Sequence, residues 1–273
     1  MGITLASLRS AVGMAVIFLW CGVSLAGSTF EGIVKPIHEV ELAFPLDGVI
    51  ARIFVKEGAW ITQGDKLIQL DDSLQKLEVA RREAIYLDRA EIEANGKNLL
   101  ILQGLLDSSR KLYERSGAVS RDEVHNLEMQ VYTLAGKIAV AEARKKQEQI
   151  EFEIAREVLA RYTLRSPITG VITAIKDEEG EWAKGGQTIV TAADTSVCYA
   201  EFNVEEKFAR ALRVDEDISL QVREGNLLVQ KTGRVAYVAP VADKASALVR
   251  VKVNFENRGG KTIPGVLAQI VFR

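Results

Sequence analysis

The chain has 273 residues, of which 48% are hydrophobic and 26% are charged, and its formal net charge is −2. This composition is typical of a folded protein of one to three small domains, and it excludes a disordered or collagen-like chain. The near-zero net charge provides no basic surface for nucleic acid, so we expect no nucleic-acid partner.

The first 26 residues have the pattern of a secretory signal peptide. Arg9 precedes an apolar run from Ala11 to Leu25, and the small residues Ser24 and Ala26 suit signal peptidase. The run is about fifteen residues long, shorter than the ~20 that span a bilayer, so we expect cleavage after Ala26, with a retained anchor as the alternative. The signal implies export of the mature chain to an oxidising compartment, and its single cysteine, Cys198, excludes an intramolecular disulfide.

A repeat with a constant offset of 122 residues follows, with nine identities in the 23 positions from 45 to 67. The identities are Pro45, Gly48, Val49, Ile50, Ile53, Glu57, Gly58, Trp60 and Gly64, which recur as Pro167, Gly170, Val171, Ile172, Ile175, Glu179, Gly180, Trp182 and Gly186. Short β-branched stretches separated by glycine predict strands and turns in each copy. Because neither copy can bury its own apolar face, we expect residues 44–71 and 163–195 to form one β-sandwich. The equivalent tryptophans are interpreted as packing within this sandwich or between neighbouring subunits.

The segment between the repeats, residues 72–162, contains no proline and changes to a hydrophobic period of about 3.5. Apolar residues recur every seven positions from Ile85 to Tyr113, and a second series from Val124 to Tyr162 is interrupted at Lys145 and Glu148. These patterns predict two long helices in an antiparallel coiled coil.

The turn of this hairpin is predicted at residues 115–120. Gly117 supplies a stop for the first helix, and Ser120 with Glu123 forms a capping box for the second. A weaker signal of the same kind, Asp72 with Gln75, starts the first helix. About forty residues per helix give a rod of roughly 60 Å, a length that suggests a distant target.

Alternating apolar and polar residues predict several short strands from residue 196 to residue 273. We expect these strands to form an antiparallel β-barrel or sandwich, to which residues 27–43 contribute a further strand.

Three segments resemble one known family, the periplasmic adaptor subunits, also called membrane fusion proteins of the HlyD type. Residues 44–67 resemble its first lipoyl half-motif, residues 165–186 resemble its second, and Ile263-Pro264-Gly265 is similar to the sequence that closes its barrel. The resemblance implies an α+β fold, in which a split lipoyl-like β-sandwich is interrupted by a coiled-coil α-hairpin and followed by a β-barrel domain.

The resemblance also implies a non-enzymatic protein that links an inner-membrane transporter to an outer-membrane channel of the TolC type in an efflux or secretion system. Adaptors of this family form homo-oligomers, usually hexamers. Members that serve resistance-nodulation-division (RND) pumps usually continue past the barrel, whereas this chain ends at Arg273. The transporter class therefore stays open between the RND and ABC types.

The hairpin tip is the expected channel-docking site. Many family members carry an arginine, a leucine four residues later and a serine seven further on, but here those slots hold Ser109, Tyr113 and Ser120. The partner is therefore either a variant channel or a TolC-type channel contacted differently. The residues expected at the contact are Arg110, Tyr113, Arg115, Ser116, Gly117, Val119 and Ser120. We also expect Val119→Asp to leave thermal melting unchanged, since an exposed turn buries little apolar surface.

No catalytic, metal or cofactor site is expected from the sequence. The run from Asp177 to Glu179 is interpreted as a solvated loop, and His38 and His125 have no nearby cysteine or second histidine. Two alternatives stay open beside the adaptor: an acyl or carboxyl carrier module modified on a lysine such as Lys66, and a coiled-coil scaffold unrelated to transport.

Overall fold

The computed structural model describes residues 28–272, so the predicted signal peptide lies outside the described residues. The strands, in chain order, are β1 (Ser28–Ala43), β2 (Gly48–Ile53), β3 (Trp60–Ile61), β4 (Lys66–Leu70), β5 (Thr163–Arg165), β6 (Gly170–Ile175), β7 (Trp182–Ala183), β8 (Thr188–Glu205), β9 (Asp217–Glu224), β10 (Leu227–Val238), β11 (Leu248–Glu256) and β12 (Leu267–Phe272). The helices are α1 (Ser73–Leu87), α2 (Ala90–Ser116), α3 (Arg121–Ala160) and α4 (Glu206–Ala209). Two compact units result, one of residues 28–34, 200–253 and 266–272, the other of residues 35–199 and 254–265.

The first unit is a six-stranded β-barrel. Its strands follow the order β1, β12, β9, β10, β11 and β8, and a further pairing of β1 with β8 closes the ring. Alternate side chains fill the interior, among them Val34, Phe202, Leu220, Val222, Val235, Val251 and Ile270, each at most 1% exposed. Gly32 permits close packing inside this unit, because a Cβ there would lie 2.3 Å from the carbonyl oxygen of Glu201.

The second unit contains a β-sandwich to which both repeats contribute strands. One sheet has the order β5, β4, β2 and β7, and β6 lies between β3 and β8 in the other. The buried core mixes residues from both copies, namely Phe44, Ile50, Ile61, Leu67, Ile68, Leu70, Leu164, Ile172, Ala183, Ile189, Val190 and Ala192. Neither repeat therefore has a complete core of its own, which is the physical reason that the two halves assemble.

The two repeats exchange equivalent backbone contacts. Trp60 pairs with Val171 and Trp182 pairs with Val49, and the 122-residue offset converts one pair into the other. The sandwich therefore has a local two-fold pseudosymmetry, in which each half completes the sheet of the other half. This arrangement confirms the predicted split sandwich.

The repeated glutamates join the halves in the same reciprocal way. Glu179 Oε1 accepts a hydrogen bond from the backbone N–H of Ile53 at 2.8 Å, and Glu57 Oε1 accepts one from Ile175 at 2.9 Å. Residues 177–179 lie outside any helix or strand and Glu179 is exposed, as the interpretation of a solvated loop expects. The Glu179 carboxylate has in addition a structural contact, because it accepts a hydrogen bond at the end of β2 in the opposite repeat.

Repeated glycines occupy the turns before the edge strands β3 and β7. Gly58 and Gly180 have φ values of 79° and 91°, a region that side-chain-bearing residues rarely adopt. Each donates its N–H to the other repeat, Gly58 to Ile172 and Gly180 to Ile50, both at 2.8 Å. These contacts explain why glycine stands at the same place in both copies.

The helical segment is a hairpin whose two arms differ. The second arm, α3, is one helix of 40 residues, which corresponds to about 60 Å. The first arm is broken between Leu87 and Ala90, so the prediction of two uninterrupted helices is wrong for this arm. At the break Asp88 has extended backbone angles (φ −69°, ψ 111°), and its carboxylate accepts a hydrogen bond from the N–H of Ala90 at 3.0 Å.

A polar layer in α3 faces this break. Lys145 and Glu148 occupy the two positions at which the apolar series is interrupted, and their side chains are only 14% and 17% exposed. Lys145 Nζ lies 2.6 Å from Glu148 Oε2 and donates to the carbonyl oxygen of Ile85 at 2.7 Å. An open cavity of about 350 Å³ adjoins them, lined in part by Ile92 and Ala141. The two polar residues that interrupt the apolar series of α3 therefore lie opposite the break in the first arm, where Lys145 binds the backbone carbonyl of Ile85.

The start of α1 also differs from the expected capping box. Asp72 is the N-cap residue but makes no side-chain capping bond. Its carboxylate instead accepts from Gln69 Nε2 at 2.6 Å and pairs with Lys76 at 2.8 Å. Gln75, the other half of the predicted box, donates to the carbonyl oxygen of Ala155 at 3.3 Å. Asp72 thus joins the start of α1 to β4, and Gln75 joins α1 to α3, so neither side chain caps the first turn of the helix.

Candidate docking surface at the hairpin tip

Two local signals shape the hairpin turn. Gly117 ends α2 with φ 62°, and its N–H donates to the carbonyl oxygen of Tyr113 at 3.2 Å. Ser120 begins α3, and its Oγ accepts from the N–H of Glu123 at 3.2 Å. Ser116 Oγ donates to the carbonyl oxygen of Leu112 at 3.0 Å. The predicted position of the turn is confirmed, because a left-handed glycine and a serine N-cap enclose it.

A small hydrophobic cluster supports the turn from beneath. Leu106, Val124 and Leu127 are each at least 91% buried between the helices. Leu102, Val119 and Val131 are partly buried and pack against them. The turn is therefore held rigid by its own core, which is a suitable base for a docking surface.

Val119 belongs to this supporting cluster. The packing of Val119 on Leu106, Val124 and Leu127 argues against the expectation that Val119→Asp leaves melting unchanged, because a carboxylate would replace that apolar side chain. A docking contact through Val119 stays a prediction.

Arg110 is engaged inside the hairpin. Its guanidinium pairs with Glu128 on α3, and His125 Nδ1 lies 3.6 Å from the same carboxylate. The hydrogen bond from Arg110 lowers the pKa of Glu128, and the same bond raises the pKa of Arg110. Arg110 therefore joins the two arms near the tip. A contact between Arg110 and a channel would have to use a guanidinium that is already paired with Glu128.

The remaining tip residues face solvent. Arg115, Ser116, Gly117 and Ser120 are exposed, and Tyr113 is 43% exposed. Exposed apolar surface continues down α2 through Leu112, at 49%. Ser109, which stands in the arginine slot of the family pattern, is 93% buried and unsuited to a partner contact. The surface thus combines Tyr113 and Arg115, whose residue types are enriched at protein interfaces, with the exposed Leu112.

The residues that are identical in the two lipoyl-like repeats occupy three kinds of position: turns, a close-packed site and the exposed surface. Gly64 and Gly186 occupy left-handed turns with φ 92° and 80°. Gly170 packs closely, since a Cβ there would lie 2.3 Å from the carbonyl oxygen of Ala193. Trp60 and Trp182 are 59% and 60% exposed, so the interpretation that they pack within the sandwich is wrong.

Within residues 28–272, no group of three or more histidine, cysteine, aspartate or glutamate side chains is arranged to hold a metal ion. Over the same residues, no helix combines the length and the apolar character that crossing a membrane requires. Lys66, the candidate for covalent modification, is the first residue of β4 and pairs in register with Arg165.

Comparison with known proteins confirms the resemblance to membrane fusion proteins. Residues 199–273 match the family model described as the CusB-like beta-barrel domain. The cation efflux system protein CzcB of Alcaligenes sp. strain CT14 is 26% identical over 225 residues, which cover 82% of this chain and 40% of the relative. The antibiotic efflux pump periplasmic linker protein ArpA of Pseudomonas putida is 23% identical over 255 residues, which cover 88% of this chain and 61% of the relative.

A solved structure supports the same fold. MacA of Actinobacillus actinomycetemcomitans superimposes with a TM-score of 0.68 at 20% identity, over 90% of this chain and 78% of that chain. The predicted α+β fold class, with a hairpin and a barrel, is confirmed. The chain spans about half the length of the curated relatives that it matches.

Proposed function

We propose that this chain is a periplasmic adaptor that links an inner-membrane transporter of the RND or ABC type to an outer-membrane channel, of the TolC type or a variant. The observation that carries the proposal is the hairpin itself. A 40-residue helix and a broken partner arm end in a turn with its own hydrophobic support and with exposed side chains. A turn so supported is built to hold a surface in place at a distance from the sandwich.

The likeness to efflux proteins supports this proposal. Two of the relatives are named as a cation efflux system protein and as an antibiotic efflux pump periplasmic linker protein. In this proposal the chain carries out no chemistry. Its contribution is geometric: it keeps transporter and channel at a fixed separation.

Localisation and self-association are parts of the same proposal. A signal peptide at residues 1–26 would place the mature chain in the periplasm, where its contact with the transporter holds it at the inner membrane. We further propose that several copies, as in a hexamer, surround the transporter, because the family that this chain resembles forms such homo-oligomers.

A pair of charge reversals on the hairpin tests the docking role. Arg115 and Lys137 are both exposed and lie on the same hairpin, one at the tip and one in the body of α3. Arg115→Glu should abolish export in a channel-dependent assay, whereas Lys137→Glu should not. Both variants should unfold within about 0.5 kcal/mol of the wild type, since each change is on the surface.

The alternative of a carrier module predicts a different intact mass for the protein. A covalently modified Lys66 would add a fixed mass to the protein purified from its own host, and it would be absent from Lys66→Arg. An unmodified intact mass, together with loss of export in Arg115→Glu, supports the adaptor. Full export by Arg115→Glu would contradict the docking role.

A further inference from the structure

Two arginines near the hairpin turn have different surroundings. The guanidinium of Arg110 pairs with the carboxylate of Glu128 on the opposite arm, and the side chain of Glu128 is only 27% exposed. Arg115 is exposed, and it forms no ion pair within residues 28–272. One arginine is therefore held inside the hairpin, whereas the other is available to a partner.

The pair of Arg110 and Glu128 lies beside the apolar cluster that supports the turn. Of the ion pairs that join the two arms within residues 28–272, it is the one nearest the turn. The cluster of Leu106, Val124 and Leu127 holds the arms together, but apolar contacts are not directional. A charge-assisted hydrogen bond between a guanidinium and a carboxylate is directional. It can therefore fix how this end of α2 is rotated against α3.

The rotation of α2 determines where the exposed side chains of the tip point. Leu112 and Tyr113 follow Arg110 within one helical turn, and Arg115 lies in the next turn. Because these residues are on one rigid helix, a rotation of its end moves all of their side chains together. The ion pair is therefore placed where it can orient the surface that we propose for docking.

We propose that Glu128 is a positioning residue, which holds Arg110 inside the hairpin and so orients Tyr113 and Arg115 towards the channel. This inference rests on the proposed docking function and assigns the two arginines different roles. Arg110 acts within the chain, and Arg115 acts on the partner. The assignment differs from the expectation that Arg110 itself contacts the channel.

The size of the effect follows from the exposure of the pair. The side chain of Arg110 is 50% exposed, and an ion pair open to solvent changes an equilibrium by about two- to fivefold. Loss of the pair lowers the population of the oriented tip, and the apparent affinity for the channel falls by the same factor. The effect on docking should therefore be measurable but partial, unlike the complete loss expected for Arg115→Glu.

Amide hydrogen exchange measures the role of the pair without a partner. The N–H of Gly117 donates to the Tyr113 carbonyl, and the N–H of Glu123 donates to Ser120 Oγ, so both amides report on the turn. In Glu128→Gln we expect both to exchange about two- to fivefold faster, since the arms separate more often at this end. Amides in the centre of α3 should exchange as in the wild type.

Docking is measured in living cells as the yield of adduct between a photoreactive residue at Ala118 and an outer-membrane protein. Glu128→Gln and Arg110→Gln should each lower this yield by about two- to fivefold. The charge exchange Arg110→Glu/Glu128→Arg should restore more than half of the loss. Restoration is incomplete because Asp107, which attracts Arg110, would repel a carboxylate at that position.

The matched control is another ion pair between the arms. Glu91 pairs with Arg144 across the hairpin, beside the break in the first arm and far from the turn along both helices. Glu91→Gln should keep the wild-type adduct yield and the wild-type exchange at the turn. Far-ultraviolet circular dichroism must show that all variants keep their helical content.

The pattern of losses decides between the possible roles. A lower yield in Arg110→Gln alone would overturn the inference and assign Arg110 to the channel contact, and a loss in Glu128→Gln alone would assign Glu128 to it. Wild-type yield in both variants, or a charge exchange that restores nothing, would also overturn it, as would unchanged amide exchange at the turn. Absence of any Ala118 adduct in the wild type would instead contradict the docking role, so the two proposals fail separately.

Discussion

Replacement of Lys145 by methionine should destabilise the hairpin even though it restores an apolar residue to the interrupted series. The Lys145 ammonium is the partner of Glu148 and of the Ile85 carbonyl, and both charged side chains are more than four-fifths buried. Lys145→Met therefore leaves a carboxylate without its nearest counter-charge in the coiled-coil interface.

The magnitude follows from the surroundings of that carboxylate. Removal of one partner from a fully buried ion pair typically costs about 3–5 kcal/mol. Here Arg144 Nε lies 3.7 Å from Glu148 Oε1 and supplies a weaker positive charge. Partial exposure lowers the cost further, so we expect Lys145→Met to lose about 2 kcal/mol of unfolding free energy.

The double variant Lys145→Met/Glu148→Leu should have a different stability. With both charges removed, the interface gains apolar packing, and replacement of a buried pair by apolar residues is often neutral or stabilising. We expect the double variant within about 1 kcal/mol of the wild type. Urea unfolding followed by circular dichroism at a helix wavelength measures both variants. Two results would refute the interpretation of Lys145 and Glu148 as a buried, mutually compensating ion pair. One is a Lys145→Met variant as stable as the wild type, and the other is a double variant less stable than Lys145→Met.

Three further predictions use the same measurement. Val119→Asp should lower stability by about 1–2 kcal/mol, since it puts a charge against the tip cluster; unchanged melting would contradict that packing. Glu57→Ala and Glu179→Ala should destabilise by similar amounts, about 1 kcal/mol each, and clearly unequal losses would argue against the reciprocal contacts. Bonds from Arg81 and Arg82 lower the pKa of Glu78 from 4.5 to about 2. The stability it contributes is therefore complete above pH 4.5 and lost as pH falls towards 2, and Glu78→Gln should remove that dependence.

The repeat was the most informative feature of the sequence. Its offset of 122 residues converts β2, β3 and the start of β4 into β6, β7 and the start of β8, residue by residue. The prediction succeeded because glycine turns and core isoleucines are local requirements that each copy must meet. The exchange of edge strands could not be predicted from identities alone, because it depends on which half each strand pairs with.

The break in the first arm was missed for a different reason. Ile85 and Ile92 keep the seven-residue interval across it, so the periodicity of that arm contains no trace of the interruption. The signal was in the other arm, where Lys145 and Glu148 replace apolar residues. In this hairpin, the polar pair at core positions of α3 faces the break in the first arm.

At the tip, the sequence predicted the turn but not the function of each residue near it. Gly117 and Ser120 are local signals, and both act as expected. The burial of Ser109 and the packing of Val119 depend on the crossing of two helices, which periodicity describes only approximately.

Site-specific photocross-linking in living cells tests the docking of the tip most directly. A photoreactive residue at Ala118, which is exposed in the turn, should form an adduct with an outer-membrane channel. The same residue at Tyr132, 76% exposed on the body of α3, is the control and should not. An adduct at Ala118 that disappears when Arg115→Glu is added is the result the adaptor account predicts. The absence of a channel adduct at Ala118, or an equal yield at Tyr132, would contradict it.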